Sequence, residues 1–173
     1  MLFRSASEVY PHSSLEDIAS SDEVSYAPNL IRLTPAFVLG TAMIVAAAST
    51  RLSCYRALSH MFTFQLSIKK NHRLVTTGPY AYVRHPSYTA IIAHEFGCLL
   101  IQLGPGSWWY ESGCWRLLFG LAFAAGWIVL KWKIVTFFIY RVEKEDRVLQ
   151  QEFGKEWDEW QKRTPYRLIP LVW

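Results

Sequence analysis

Leu33 to Thr50 read LTPAFVLGTAMIVAAAST, eighteen residues without a single charge. As a helix this run is about 27 Å long at 1.5 Å per residue, close to the roughly 30 Å of a bilayer's hydrocarbon core. Two further runs follow it. SYTAIIAHEFGCLLIQL (87–103) is apolar apart from His94 and Glu95, and WRLLFGLAFAAGWIVLKWKIVTFFIY (115–140) carries Lys131 and Lys133 inside it. One such run can be the core helix of a soluble domain. Three of them in 173 residues leave too little polar chain to cover them. The pattern predicts an all-α fold: a multi-span integral membrane helical bundle, partnered by the lipid bilayer. His94 and Glu95 are costly in lipid, so they should face other helices in a structural role. Lys131 and Lys133 either snorkel toward a headgroup layer or mark where the third helix leaves the bilayer.

Composition agrees. Eight Trp, nine Tyr and ten Phe make the chain rich in the rings that collect at membrane interfaces. The net charge of +4 would suit a nucleic-acid partner, but the bases are interrupted by apolar runs and no zinc, helix-turn-helix or RNA-binding pattern occurs. Cys54, Cys98 and Cys114 are isolated, which argues against a disulfide framework and against a metal site. Residues 1–29 are polar, acidic and Ser-rich with no apolar core, so they read as a mobile segment rather than a signal peptide. Residues 30–173 then form the membrane domain, with an amphipathic helical pattern in its C-terminal part, up to about Lys162.

Charge sets an orientation. The stretch 51–87 holds Arg51, Arg56, Lys69, Lys70, Arg73 and Arg84 and no acid, whereas the loop GPGSWWYESG (104–113) has only Glu111. By the positive-inside rule, 51–87 and the C-terminal segment face the cytosol. With three spans, the N-terminus lies on the opposite side.

Two segments hold residues suited to chemistry. In HRLVTTGPYAYVRHPSYTA (72–90), Gly78-Pro79 signals a turn and Pro86 suits a first helical position. A helix start flanked by Arg84, His85, Tyr82 and Tyr88 offers donors and a positive dipole end to an anion; a basic, aromatic interface turn has the same composition, and residue types alone leave both open. In RVEKEDRVLQQEFGKEWDEWQKRTPYRLIP (141–170), Arg141 and Glu145 share a helix face. Such a pair is usually a solvated salt bridge worth a few tenths of a kcal/mol. Here it sits where the helix leaves the membrane, facing the side on which His85 is placed. Asp158, Glu159 and Lys162 read as a solvated face, and His60 and His72 as ordinary interfacial residues.

GPYAYVRHPSY, followed some fifty residues later by the 141–170 segment, resembles the isoprenylcysteine carboxyl methyltransferase family. The resemblance covers roughly residues 33–173, most closely 54–90 and 141–170, and FTFQLSIKKNHRLVTTGPY (62–80) is similar to the family's approach to its cofactor site. It implies a membrane fold whose cytosolic side encloses S-adenosylmethionine without a soluble Rossmann domain, and indeed no GxGxxG-type loop is present. Carried over by position, cofactor contacts fall on Gln65, on His72, Arg73, Leu74 and Val75, on Tyr80, on His85, Pro86, Ser87 and Tyr88, and on Glu145. Arg141 matches the arginine that faces the substrate carboxylate, so Arg141 and Glu145 are the catalytic pair. The implied reaction methylates the C-terminal carboxylate of prenylated proteins at the endoplasmic reticulum, with the active site facing the cytosol. Asp146 stands where the family has a second Glu, and the N-terminal region is shorter than in members with additional spans. Competing readings are a related membrane methyltransferase acting on a lipid amine or a small thiol, and a non-catalytic protein that keeps the fold.

Overall fold

The computed structural model describes residues 33–59 and 73–173. The calls on residues 1–29, His60, Gln65 and His72 lie outside the described residues. Among those described, all regular structure is helical. Helix α1 spans Pro35–Leu58; a 3₁₀ turn over Gly78–Ala81 leads to α2 (Pro86–Leu103). A short helix, α3 (Trp108–Glu111), precedes the long α4 (Leu118–Phe153), and α5 (Lys155–Arg163) ends the helical part.

Among the described residues two helices, α1 and α4, are long and apolar enough to cross a membrane, where the sequence pattern predicts three. The middle helix α2 has 18 residues, but His94, Glu95 and its polar first turn dilute the apolar run. The first helix also outruns its apolar sequence. Thr34 caps it by accepting from the Phe37 amide at 3.2 Å, and it continues past Arg51 and Arg56 because nothing breaks it before Ser59, where φ turns to 50°. Basic side chains near a helix C-terminus are favourable against the dipole.

Most of the helix–helix contact lies between α1 and α2. In lipid, apolar association gains little from hydrophobicity, so close approach of small residues does the packing. Gly40 and Gly97 provide it: a Cβ built on Gly97 would stand 2.8 Å from the Gly40 carbonyl oxygen, and one on Gly40 2.8 Å from that of Gly97. Ala47, Cys54 and Ala90 are buried along the same pair.

Helix α4 buries a narrow stripe: Gly120, Ala124, Lys131, Val135, Val142 and Asp146. The steps are four and seven residues in alternation, an eleven-residue period that stays on one side of an α-helix. Other faces of the apolar half are open, with Leu118, Phe119, Phe123, Ile128, Trp132 and Phe137 all exposed. The helix runs unbroken from the apolar run into the charged segment and stops only at Gly154, where φ is positive (49°). The separate helix beyond it buries Trp157 and Trp160 and exposes Lys155, Glu156, Glu159, Lys162 and Arg163.

Candidate functional site: a polar cluster where α2 meets α4

Helix α2 begins at Pro86, with His85 as its N-cap residue, as the proline predicts. Arg84 and His85 are not free flanking residues, however. Their backbone amides donate to the carbonyls of Tyr166 and Arg167 at 2.9 Å each, so the chain end is laid against the helix start. The Arg84 guanidinium donates to the carbonyls of Thr164 (3.0 Å) and Pro165 (2.7 Å) and to Asp146 Oδ2 (3.1 Å). His85 Nε2 lies 2.8 Å from Asp146 Oδ1, and Arg167 Nε reaches Asp146 Oδ2 at 3.5 Å. Thr89 Oγ1 adds a bond to the Leu168 carbonyl at 2.6 Å. Asp146 thus joins two cations and a histidine. Arg84, His85 and Asp146 are all buried, and a buried charge is tolerable only when paired in this way.

Beside this closed cluster is a more open one. Tyr88 is on the first turn of α2 with its ring stacked on His85, centroids 5.5 Å apart, and tilted against Phe138 of α4 at 5.0 Å. Arg141 Nε donates to the Tyr88 oxygen at 2.8 Å, and the Tyr88 hydroxyl donates to Glu145 Oε2. Glu145 Oε2 also lies 4.0 Å from His85 Nδ1, with 30% of the Glu145 side chain exposed. The i,i+4 salt bridge that such a spacing usually makes is therefore not the arrangement found: Arg141 and Glu145 meet through the hydroxyl of another helix. Their spacing along α4 brings both side chains to the α2 side, and position 146, one step on, falls on the buried stripe.

Tyr80 sits in the turn before α2, where its carbonyl accepts from Trp160 Nε1 at 3.2 Å. Burial, with the Cys54 thiol bonded to it, pushes the Tyr80 phenol well above the ordinary tyrosine range, so it stays a neutral hydroxyl. Of the other expected site residues, Pro86 is buried and Ser87 half-buried at the helix start. Leu74 and Val75 are half-buried on the irregular stretch before the turn, and Arg73 is exposed there. Tyr82, expected beside the anion site, is 75% exposed.

Lys131 corrects a further expectation. Instead of snorkelling, its side chain is 11% exposed and its Nζ is 2.7 Å from Glu95 Oε2 of α2. Glu95 facing another helix agrees with the sequence reading. His94, expected to do the same, leaves 43% of its side chain exposed. Three features went unread: the central place of Asp146, the folding of 164–168 against 84–89, and the Glu95–Lys131 pair. The four-and-seven stripe on α4 carried a signal for the first and the third, since an ionic residue on a buried face requires a partner.

Among the described residues no group of three His, Cys, Asp or Glu side chains converges as metal ligands do. The chain matches the model of the isoprenylcysteine carboxyl methyltransferase family over residues 38–108, a stretch that holds most of α1, the turn and α2. It is 29% identical to protein-S-isoprenylcysteine O-methyltransferase B of Arabidopsis thaliana over 162 residues, 92% of this chain and 71% of that one. To the protein-S-isoprenylcysteine O-methyltransferase of Schizosaccharomyces pombe it is 32% identical over 125 residues, 72% of this chain, and the match spans only 44% of the relative's length. A narrower similarity, 27% over 101 residues and 20% of the relative, links it to the mouse delta(14)-sterol reductase TM7SF2. The broad matches run to the methyltransferases, and it is to the isoprenylcysteine carboxyl methyltransferase family that residues 38–108 are similar.

Proposed function

We propose that this protein is a multi-span membrane methyltransferase that transfers a methyl group from S-adenosylmethionine to the C-terminal carboxylate of prenylated proteins. One observation carries the reading: a guanidinium and a carboxylate, Arg141 and Glu145, converge on the Tyr88 hydroxyl at the mouth of the α2–α4 junction. A site for this reaction has to receive an anionic acceptor and a cofactor with both a cationic and an anionic end. The cluster offers one group of each sign, with Glu145 partly exposed. The donor set fits.

S-adenosylmethionine supplies an electrophilic methyl on a sulfonium. The acceptor carboxylic acid, with a pKa of about 3.5, is already ionised at neutral pH, so no residue has to act as a base. The protein's task is alignment, which alone can contribute roughly 7–11 kcal/mol when reacting atoms are held in place. Arg141 binds the acceptor carboxylate, where a planar guanidinium can make two parallel contacts. Glu145 holds a cationic part of the cofactor, and Tyr88 keeps the two side chains in fixed relation. Tyr80, Pro86 and Ser87, with Arg73, Leu74 and Val75 and, outside the described residues, Gln65 and His72, complete the cofactor side. His85 is held by Asp146, so it acts on the cofactor side through its place at the start of α2 and its stack on Tyr88.

The basic stretch 51–87 supports a cytosolic side for this site, and the family resemblance supports the endoplasmic reticulum membrane, with residues 30–173 read as one domain. Tags in 51–87 and at the C-terminus should then read as cytosolic and a tag in 104–113 as opposite. The deciding experiment is a radiolabelled methyl-transfer assay in membranes with a farnesylated cysteine acceptor. Transfer that requires the free carboxylate supports the reading. Transfer only to a lipid amine or a small thiol, neither of which needs Arg141, replaces it. A chain that fails to bind S-adenosylmethionine is not an enzyme of this kind.

A further inference from the structure

Deep in the apolar part of the fold, away from the site, the carboxylate of Glu95 meets the ammonium of Lys131. The two side chains are only 10% and 11% exposed, and Nζ lies 2.7 Å from Oε2. The contact is a charge pair rather than an aligned hydrogen bond. Nζ also stands 4.7 Å from the centre of the Trp127 ring, and Glu95 Oε1 is 3.3 Å from His94 Nδ1. Ionisable groups at such a place are expensive and are usually there for function. They are poor devices for stability, because replacing a buried pair by apolar residues is often neutral or stabilising.

The apolar half of α4 exposes large side chains on several faces, and lipid gives such a helix no preferred rotation or depth against its neighbour. Polar rungs have to set both. Three link the start and body of α2 to α4: Arg84 and His85 with Asp146, Tyr88 with Arg141 and Glu145, and Glu95 with Lys131. The first two are in or beside the site. The third touches none of its residues, since Lys131 precedes Arg141 by ten residues, about 15 Å along the helix. It does share the buried stripe with Asp146.

We propose that the Glu95–Lys131 pair is a positioning device: it fixes the depth and rotation of α4 against α2, and so sets where Arg141 and Glu145 meet Tyr88. The inference rests on the methyl-transfer reading of that site. A slip of a single residue would displace α4 by about 1.5 Å, and misplacement by about 1 Å can cost a hundredfold in rate.

The test uses the full chain in lipid vesicles, with Glu95→Gln and Lys131→Met combined so that no unpaired charge remains, and with the exchanged pair Glu95→Lys and Lys131→Glu. Thermal unfolding, kcat for a farnesylated cysteine acceptor, and the distance between spin labels at the exposed Tyr82 and Arg147 are measured for each. The neutral pair should unfold near the wild-type temperature, lose about 10- to 100-fold in kcat, and broaden or shift the label distance. The exchanged pair should recover at least part of both. Wild-type kcat and an unchanged distance in a folded neutral pair would overturn the proposal, because a merely stabilising contact predicts that result. If the exchanged pair folds but recovers nothing, the proposal also falls. Should the wild-type protein transfer no methyl group while the label distance still responds, the methyl-transfer reading fails and the positioning of α4 stands.

Discussion

Helix α2 is held on its two sides by different chemistry. Toward α1 it presents glycine and alanine, and the backbones approach until Gly40 and Gly97 almost touch. Toward α4 it presents His85, Tyr88 and Glu95, each bonded or ion-paired to a polar side chain. The first contact needs only shape, tolerates no bulk and has no directional chemistry. The second needs particular atoms in particular places. A protein that must hold reacting groups in register within lipid gains from using both: one contact for adhesion, the other for geometry.

Removing the centre of the polar side should have the largest effect. Asp146→Ala leaves Arg84, His85 and Arg167 without their shared acceptor. Breaking a buried pair costs about 3–5 kcal/mol, which thermal unfolding in detergent will register as a large fall, with Asp146→Asn losing less. A fall within about 0.5 kcal/mol, ordinary for surface substitutions, would mean that the cluster is not what closes the C-terminal segment onto α2.

The small-residue side should respond next. In Gly97→Ala the new Cβ meets the Gly40 carbonyl at 2.8 Å, and that neighbour is backbone and cannot rotate away. Overpacking of this kind costs about 1–3 kcal/mol. The loss should appear in the unfolding temperature, with the relative dependence on cofactor and acceptor unchanged. A change in acceptor KM with stability intact would show that adhesion and geometry are not divided as described.

Tyr88→Phe should be the mildest in stability. It keeps the ring against His85 and Phe138 and deletes the hydroxyl between Arg141 and Glu145. Each of the two hydrogen bonds lost, one to a guanidinium and one to a carboxylate, is nominally worth about 1.5–3 kcal/mol, offset here because both charged partners are near water. We expect a change in unfolding free energy below about 1 kcal/mol, as for exposed ion pairs, and reduced turnover. Unaltered turnover would remove Tyr88 from the site.

The sequence legible as long helices was legible because a bilayer imposes length and apolarity on each span. Proline 86 marked the start of α2 for a local reason, its fixed backbone angle. The charged ends were harder. Arg51 and Arg56 close the apolar run that the sequence displays, but charge is no breaker, and α1 continues to Leu58. Arg141 and Glu145 were visible as one face of one helix, but the hydroxyl that joins them comes from a residue more than fifty positions earlier, and pairing at that range is not periodic. Asp146 looked like a conservative departure from the family's second Glu, and nothing local revealed that it gathers Arg84, His85 and Arg167. Lys131 within an apolar run signals a need for water or a partner, but that Glu95 is the partner is set by packing of α2 on α4.

The central claim is that Arg141 and Glu145 serve different ligands on either side of one hydroxyl. It is tested most directly by measuring acceptor and S-adenosylmethionine dependence for Arg141→Ala, Arg141→Lys and Glu145→Ala in the same membranes. Arg141→Ala should raise the requirement for the farnesylated acceptor, and Arg141→Lys should rescue it poorly, because a point charge does not reproduce a two-pronged contact. Glu145→Ala should instead raise the requirement for S-adenosylmethionine. Near-wild-type behaviour in all three, or the same defect in both alanine variants, would contradict the account.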